Sequence, residues 1–169
     1  MSSRIAEWAG FARSGAIAAE RSADVTALVC PLMSSSGTVQ GDGYAVSSLE
    51  QMGEGYGFRK IRQAVGVTAF GINAVVLPPG YATGVHYHDE QEETYFVHQG
   101  EVEFRFGDGS THVLGPGGVV RVDPHTHRGM RNVSAGDAIV VVAGGRDGYV
   151  GRDGQAVGGS GRGGPPGAA

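Results

Sequence analysis

Glycine cuts this chain wherever an apolar run begins to lengthen. Gly57, Gly66, Gly71, Gly80, Gly100, Gly107, Gly109, Gly115 and Gly118 all stand at or near the ends of short hydrophobic stretches, and the chain holds 31 glycines in 169 residues. Runs interrupted this often cannot complete helices of about eleven residues. Strands of about five residues fit between the breaks. Short apolar runs closed by Gly, Pro or Asp therefore predict an all-β barrel or sandwich.

The runs can be placed along the chain. A strand is expected near Tyr44-Ala45-Val46, and an edge strand with charges on its rim at Phe58-Arg59-Lys60-Ile61. Val67 to Leu77 reads as a long strand interrupted at Gly71, and Pro78-Pro79-Gly80 ends it. Thr94 to Gln99 and Val102 to Phe106 are expected to pair through Gly100-Glu101 as a tight hairpin. In the second of these, Val102, Phe104 and Phe106 alternate with Glu103 and Arg105, the pattern of a half-buried strand. His112 to Leu114, Val119 to Val122, Met130 to Val133 and Ala138 to Ala143 complete the set. The run Ile139 to Val142 suits a strand covered on both faces.

Chemistry concentrates between Gly80 and Gly100. His86-Tyr87-His88 is followed by the polar connector Asp89-Glu90-Gln91-Glu92, then by Glu93 at the head of the next strand. Residues two apart on a strand share a face, so His86 and His88 point into one space and Tyr87 points away. Two imidazoles and one carboxylate can take one side of a divalent ion and leave other positions open. Taken alone, a His-x-His pair is more often two polar residues on a wet strand face. The carboxylate and the bracketing glycines favour a metal site.

The run Gly80-x5-His86-x-His88-x4-Glu93-x6-Gly100 resembles the first motif of the cupin superfamily, and the stretch from Tyr44 to Gly154 resembles small bacterial single-domain cupins. The resemblance implies a single antiparallel β-barrel of jelly-roll type over residues 44–154. It also implies that His86, His88 and Glu93 are three of the usual four metal ligands. The second cupin motif, Gly-x5-Pro-x-Gly-x2-His-x3-Asn, is kept only in part. Gly118, Pro124 and Asn132 hold register, but Arg128 stands where the fourth ligand belongs.

Three arrangements follow. In one, the three ligands bind metal alone and Arg128 anchors a substrate anion with its planar fork. In another, His127 supplies the fourth ligand through a β-bulge after Pro124, with His125 a remoter candidate. In the last, Arg128 pairs with Glu93 and the site holds no metal, because a buried arginine beside a dication is costly.

Composition bounds the rest. A formal net charge of −4, with 13 Lys and Arg spread without clusters, argues against a nucleic-acid partner. No apolar stretch is long enough to span a membrane as a helix. A lone cysteine, Cys30, forms no internal disulfide, and with no evident signal peptide the expected location is cytoplasmic. Residues 1–43 are expected to be a poorly ordered extension, with Met33-Ser34-Ser35 echoing Met1-Ser2-Ser3 and marking Met33 as a candidate start. Residues 155–169 are Gly, Pro, Ala and Ser for the most part and are expected to be disordered. Just before them, Gly145-Arg146-Asp147-Gly148 recurs as Gly151-Arg152-Asp153-Gly154; the composition favours two turns over a binding role.

By the resemblance, the expected function is a metal-dependent oxygenase, isomerase or cyclase. It would use one Fe, Mn, Ni or Zn ion and act on a small anionic organic substrate inside the barrel. Arg128 would neutralise the substrate's charge and Tyr95 would donate a hydrogen bond to it. The rival reading is a binding module that holds an anion on Arg128 without turnover; a third is a purely structural cupin. A homodimer is expected, with Phe96 and His98 on the strand face opposite Glu93.

Overall fold

The computed structural model describes residues 37–158. Within them, β1 (Val39–Gly41) and β2 (Tyr44–Val46) form a small antiparallel ribbon. The remaining strands are β3 (Gly57–Arg59), β4 (Gly71–Leu77), β5 (His86–His88), β6 (Glu92–Gln99), β7 (Val102–Phe106), β8 (Thr111–Leu114), β9 (Val119–Val122), β10 (Arg128–Asn132), β11 (Ala138–Gly145) and β12 (Gly154–Ala156). They form two five-stranded antiparallel sheets, ordered β12-β5-β10-β7-β8 and β3-β4-β11-β6-β9. The expected all-β jelly-roll is present as two facing sheets, and no ladder among the described residues closes them into a continuous barrel.

The core lies between the sheets. Val75, Leu77, Tyr95, Val97, Val122, Ala138 and Val140 come from one sheet and meet Val102, Phe104 and Met130 from the other. Alternation explains the placement: in β6, Glu93, Tyr95 and Val97 are buried while Glu92, Phe96 and His98 are exposed. Asn132 ends β10 inside this layer, where its amide donates to the carbonyls of Leu77 and Gly136 and its oxygen accepts from Ser134 N–H.

Three expectations need correction. The strands β6 and β7 do not form a hairpin; β6 pairs with β11 and β9, and β7 with β10 and β8. Alternating burial looks the same whether the partner strand lies alongside or across the core. The chain crosses between sheets at Gly100, whose φ of 77° suits glycine, and a Cβ there would lie 2.8 Å from the Ala138 Cβ. Secondly, the edge strand stops at Arg59, and Ile61–Val65 forms a short helix, α1, closed by Gly66 in the left-handed conformation. The long strand accordingly starts at Gly71 and not at Val67.

The third correction concerns the ends. Val39–Gly41 is a strand inside the expected extension, and Gly154–Ala156 is a strand paired with His86–His88, straddling the expected boundary at residue 154. The rest of the expected flexible ends, residues 1–36 and 159–169, lies outside the described residues, as do Cys30 and Met33. Among the described residues no helix is long and apolar enough to cross a membrane.

Candidate metal centre

Strand β5 places His86 and His88 on one face, with ring centroids 5.5 Å apart and nearly perpendicular. Register then assembles their neighbours: β10 sets Arg128 opposite His86, and β12 sets Gly154 opposite His88. Glu93 reaches the same space from β6 in the other sheet. Ligand atoms of His86, His88 and Glu93 all lie within 4.8 Å of one another. This is the one group of three or more potential metal ligands among the described residues. Gly144, opposite Glu93 on β11, leaves room for it; a Cβ there would lie 3.0 Å from Glu93 Cγ.

Glu93 divides its oxygens between two tasks. Oε1 lies 3.3 Å from His88 Nε2. Oε2 accepts from Arg128 at 2.6 Å and from the Tyr95 hydroxyl in a short hydrogen bond. Arg128 also donates Nε–H to the Tyr95 oxygen at 3.2 Å and a terminal N–H to the Thr126 carbonyl at 3.1 Å. Its side chain has no exposed surface. The Arg128–Glu93 pairing named in the last of the three arrangements is thus present. The guanidinium that the first arrangement gives to a substrate anion is spent on Glu93, Tyr95 and Thr126. The pairing occupies one carboxylate oxygen only and leaves Oε1 turned toward His88.

The electrostatics follow from these contacts. Burial pushes the Glu93 carboxyl up, but hydrogen bonds from His88, Tyr95 and Arg128 outweigh it and bring the group down to about 2. The carboxylate is therefore ionised at any ordinary pH. Burial, and then the Arg128 guanidinium, hold the His86 imidazole below its usual value against a smaller pull from Glu93. Tyr95 is pushed upward, first by burial and then by the Glu93 charge, so it acts as a hydrogen-bond donor and not as a phenolate. A neutral imidazole and an ionised carboxylate are the forms that ligate metals.

Acid stability should report this carboxylate. Its folded value of about 2 lies below the ordinary 4.5, so its contribution is complete above the ordinary value and is lost as pH falls from there through the folded one. Urea unfolding at stepped acid pH should show that loss in the wild type and a flatter profile in Glu93→Gln. Matching profiles would assign the acid sensitivity to other groups.

His127 and His125 do not join the cluster. His127 stacks on Tyr87, with centroids 5.2 Å apart and planes 27° apart, and Tyr87 points away from the paired histidines as the strand parity predicts. The His125 ring lies 6.3 Å from the same ring, and its backbone N–H donates to the His88 carbonyl at 2.8 Å. His127 lies against Tyr87, and Arg128 takes the buried position instead. A cavity of about 400 Å³ adjoins these residues, lined by Phe106, Gly107, Asp108, His125, Thr126 and His127. None of the three candidate ligands lines it. Tyr95 is nearly fully buried, edge-on to Phe104 with centroids 5.6 Å apart, and spends its hydroxyl on Glu93 and Arg128.

Two residues escaped the sequence reading. Gln91, in the connector that composition assigns to water, is buried with its amide nitrogen 2.7 Å from His88 Nδ1. Asp153, in the second Gly-Arg-Asp-Gly copy, is buried with Oδ2 3.4 Å from the same nitrogen. The repeat itself was the only available signal for Asp153, and it favoured a turn.

Two facing antiparallel sheets, with two histidines and one carboxylate gathered between them, define a double-sheet jelly roll. Comparison places it more closely: residues 73–144 match the family model for the cupin domain, and this chain carries a cupin superfamily domain. Among solved structures, it resembles a cupin protein from Bacteroides fragilis at 21% identity and TM-score 0.53, over 65% of this chain and 93% of that one. A double-stranded β-helix protein from Klebsiella pneumoniae is similar at 17% identity and TM-score 0.54, over 66% and 95%. A sugar phosphate isomerase of the cupin superfamily from Silicibacter pomeroyi shares 30% identity at TM-score 0.48, over 53% of this chain and only 58% of that one. A search of curated proteins finds no match.

Proposed function

We propose that this protein is a metal-dependent enzyme in which His86, His88 and Glu93 hold one divalent ion, Fe, Mn, Ni or Zn. The observation that carries the reading is the convergence of their ligand atoms within 4.8 Å. The donor set fits: two imidazoles and one carboxylate suit mid-row divalent metals and leave coordination positions for a substrate. Such an ion supplies Lewis acidity toward a carbonyl or enolate oxygen.

The chain's own residues do the rest. Arg128 and Tyr95 fix the Glu93 carboxylate through Oε2, so that Oε1 stays directed at His88. The substrate is a small organic acid or related molecule with a chelating pair of oxygens. The alternative, an anion held on Arg128 without turnover, is disfavoured by the same contacts. Arg128 is fully buried and each of its nitrogens already donates within the protein.

Oxalate serves as a generic chelating probe. Added to the Co(II)-loaded protein, it should perturb the visible absorption, because three protein ligands leave open positions. An unchanged spectrum would mean a closed site. Equal oxalate affinity with and without metal would favour the metal-independent binder.

A further inference from the structure

His88 is held from both sides. Nε2 faces Glu93 Oε1 at 3.3 Å, while Nδ1 faces the Gln91 amide nitrogen at 2.7 Å and Asp153 Oδ2 at 3.4 Å. Asp153 reaches this point from the residue just before β12. Its carboxylate also accepts the backbone N–H groups of Asp89, Glu90 and Gln91, the last at 2.8 Å. The connector is thereby wrapped around one carboxylate, and Gln91 is fixed with its amide nitrogen against the ring, 2.7 Å from Nδ1 and 3.5 Å from Nε2. Gly154 completes the wall, since a Cβ there would lie 3.3 Å from His88 Cε1. Gln155 ties the segment down separately, donating to Asp89 Oδ2 at 2.6 Å.

A neutral imidazole carries one proton, and the partner of each nitrogen decides where it sits. With the Gln91 NH2 turned to Nδ1, that nitrogen accepts, and the proton resides on Nε2 facing Glu93. Nε2 is then blocked as a ligand, and the Nδ1 lone pair also faces the Asp153 carboxylate at 3.4 Å. A half-turn of the amide presents its oxygen to Nδ1 instead. The proton then belongs on Nδ1, between the Gln91 oxygen and Asp153, and the Nε2 lone pair is free. One proton leaves Nε2 to solvent and one is taken up at Nδ1, so the ring stays neutral in both arrangements. Groups behind a ligating histidine commonly set its tautomer in this way.

We propose that Gln91 and Asp153 are positioning residues for His88: the Gln91 amide, fixed by Asp153, selects between a ring closed toward Glu93 and a ring open for metal. The inference rests on the metal-centre reading above, and it assigns a working role to the second copy of the Gly-Arg-Asp-Gly repeat.

The test combines Zn(II) affinity, by competition with a chromogenic chelator, with the His88 tautomer from long-range proton–nitrogen NMR correlations. Spectra are taken at about pH 8, above the ordinary imidazole range. Wild type should show Nε2–H without metal and Nδ1–H with Zn(II). Gln91→Leu should lose about 10- to 100-fold in affinity. Gln91→Glu, an obligate acceptor, should keep the affinity and move the proton to Nδ1 even without metal. Asp153→Asn should weaken binding, with circular dichroism confirming the fold. Gln155→Ala loosens the same segment without touching His88 and should leave affinity and tautomer unchanged.

Equal losses in Gln155→Ala and Asp153→Asn would reduce Asp153 to a segment anchor and overturn its part. Unchanged tautomers in both Gln91 variants would overturn the whole. If wild type binds no Zn(II), the metal-centre reading fails; the Gln91→Glu tautomer in the metal-free protein then decides the positioning role by itself.

Discussion

Arg128→Met should lower the unfolding free energy by about 3–5 kcal/mol, the scale expected when one partner of a buried ion pair is removed. Methionine roughly fills the space but supplies no donors. Glu93 Oε2 would lose its 2.6 Å partner, and the Tyr95 oxygen would lose its 3.2 Å donor. Arg128 has no exposed surface, so water cannot replace either. The cost arises from the charge left behind more than from the attraction lost. Adding Glu93→Gln should therefore recover most of the loss, because a neutral amide tolerates the site. Urea unfolding of the two singles and the double measures this directly. A loss below about 1 kcal/mol, the range of exposed pairs, would mean that the pair is hydrated and does not organise the site.

His86→Ala should abolish stabilisation by metal while leaving the metal-free protein within about 1 kcal/mol of wild type. His86 is only half-buried and fills no part of the core between the sheets. A ligand that binds only the folded state stabilises it by RT ln(1 + [L]/Kd), about 2.7 kcal/mol at a hundredfold excess over Kd. Wild type should thus melt progressively higher as Zn(II) or Mn(II) is titrated in. His86→Ala should not respond. An equal shift in both proteins would place the binding elsewhere.

The sequence made the site's first half legible because strand parity is rigid. His86 and His88 had to share a face, Tyr87 had to oppose them, and Glu93 had to share parity with Tyr95 and Val97; all are placed so. Parity says nothing about which strand lies alongside. That is why β6 and β7 read as a hairpin although each pairs with other strands. The fate of Arg128 was undecidable for a related reason. Its position matched a ligand slot, but whether it met a substrate or Glu93 depended on the distance between two sheets. Gln91 and Asp153 were hidden by composition: a polar connector and a Gly-rich turn are ordinary surface material. Only the wrapping of one around the other, 62 residues apart in sequence, buries them.

Metal content is the measurement that bears most directly on the central assignment. The protein should be purified without chelator or an immobilised-metal column, and analysed by element beside His86→Ala. The three-ligand centre predicts about one equivalent of Fe, Mn, Ni or Zn in the wild type and a small fraction of that in the variant. Absence of metal from both, with none taken up on titration, would contradict the assignment; Arg128 and Glu93 would then be a closed, metal-free pair between the two sheets.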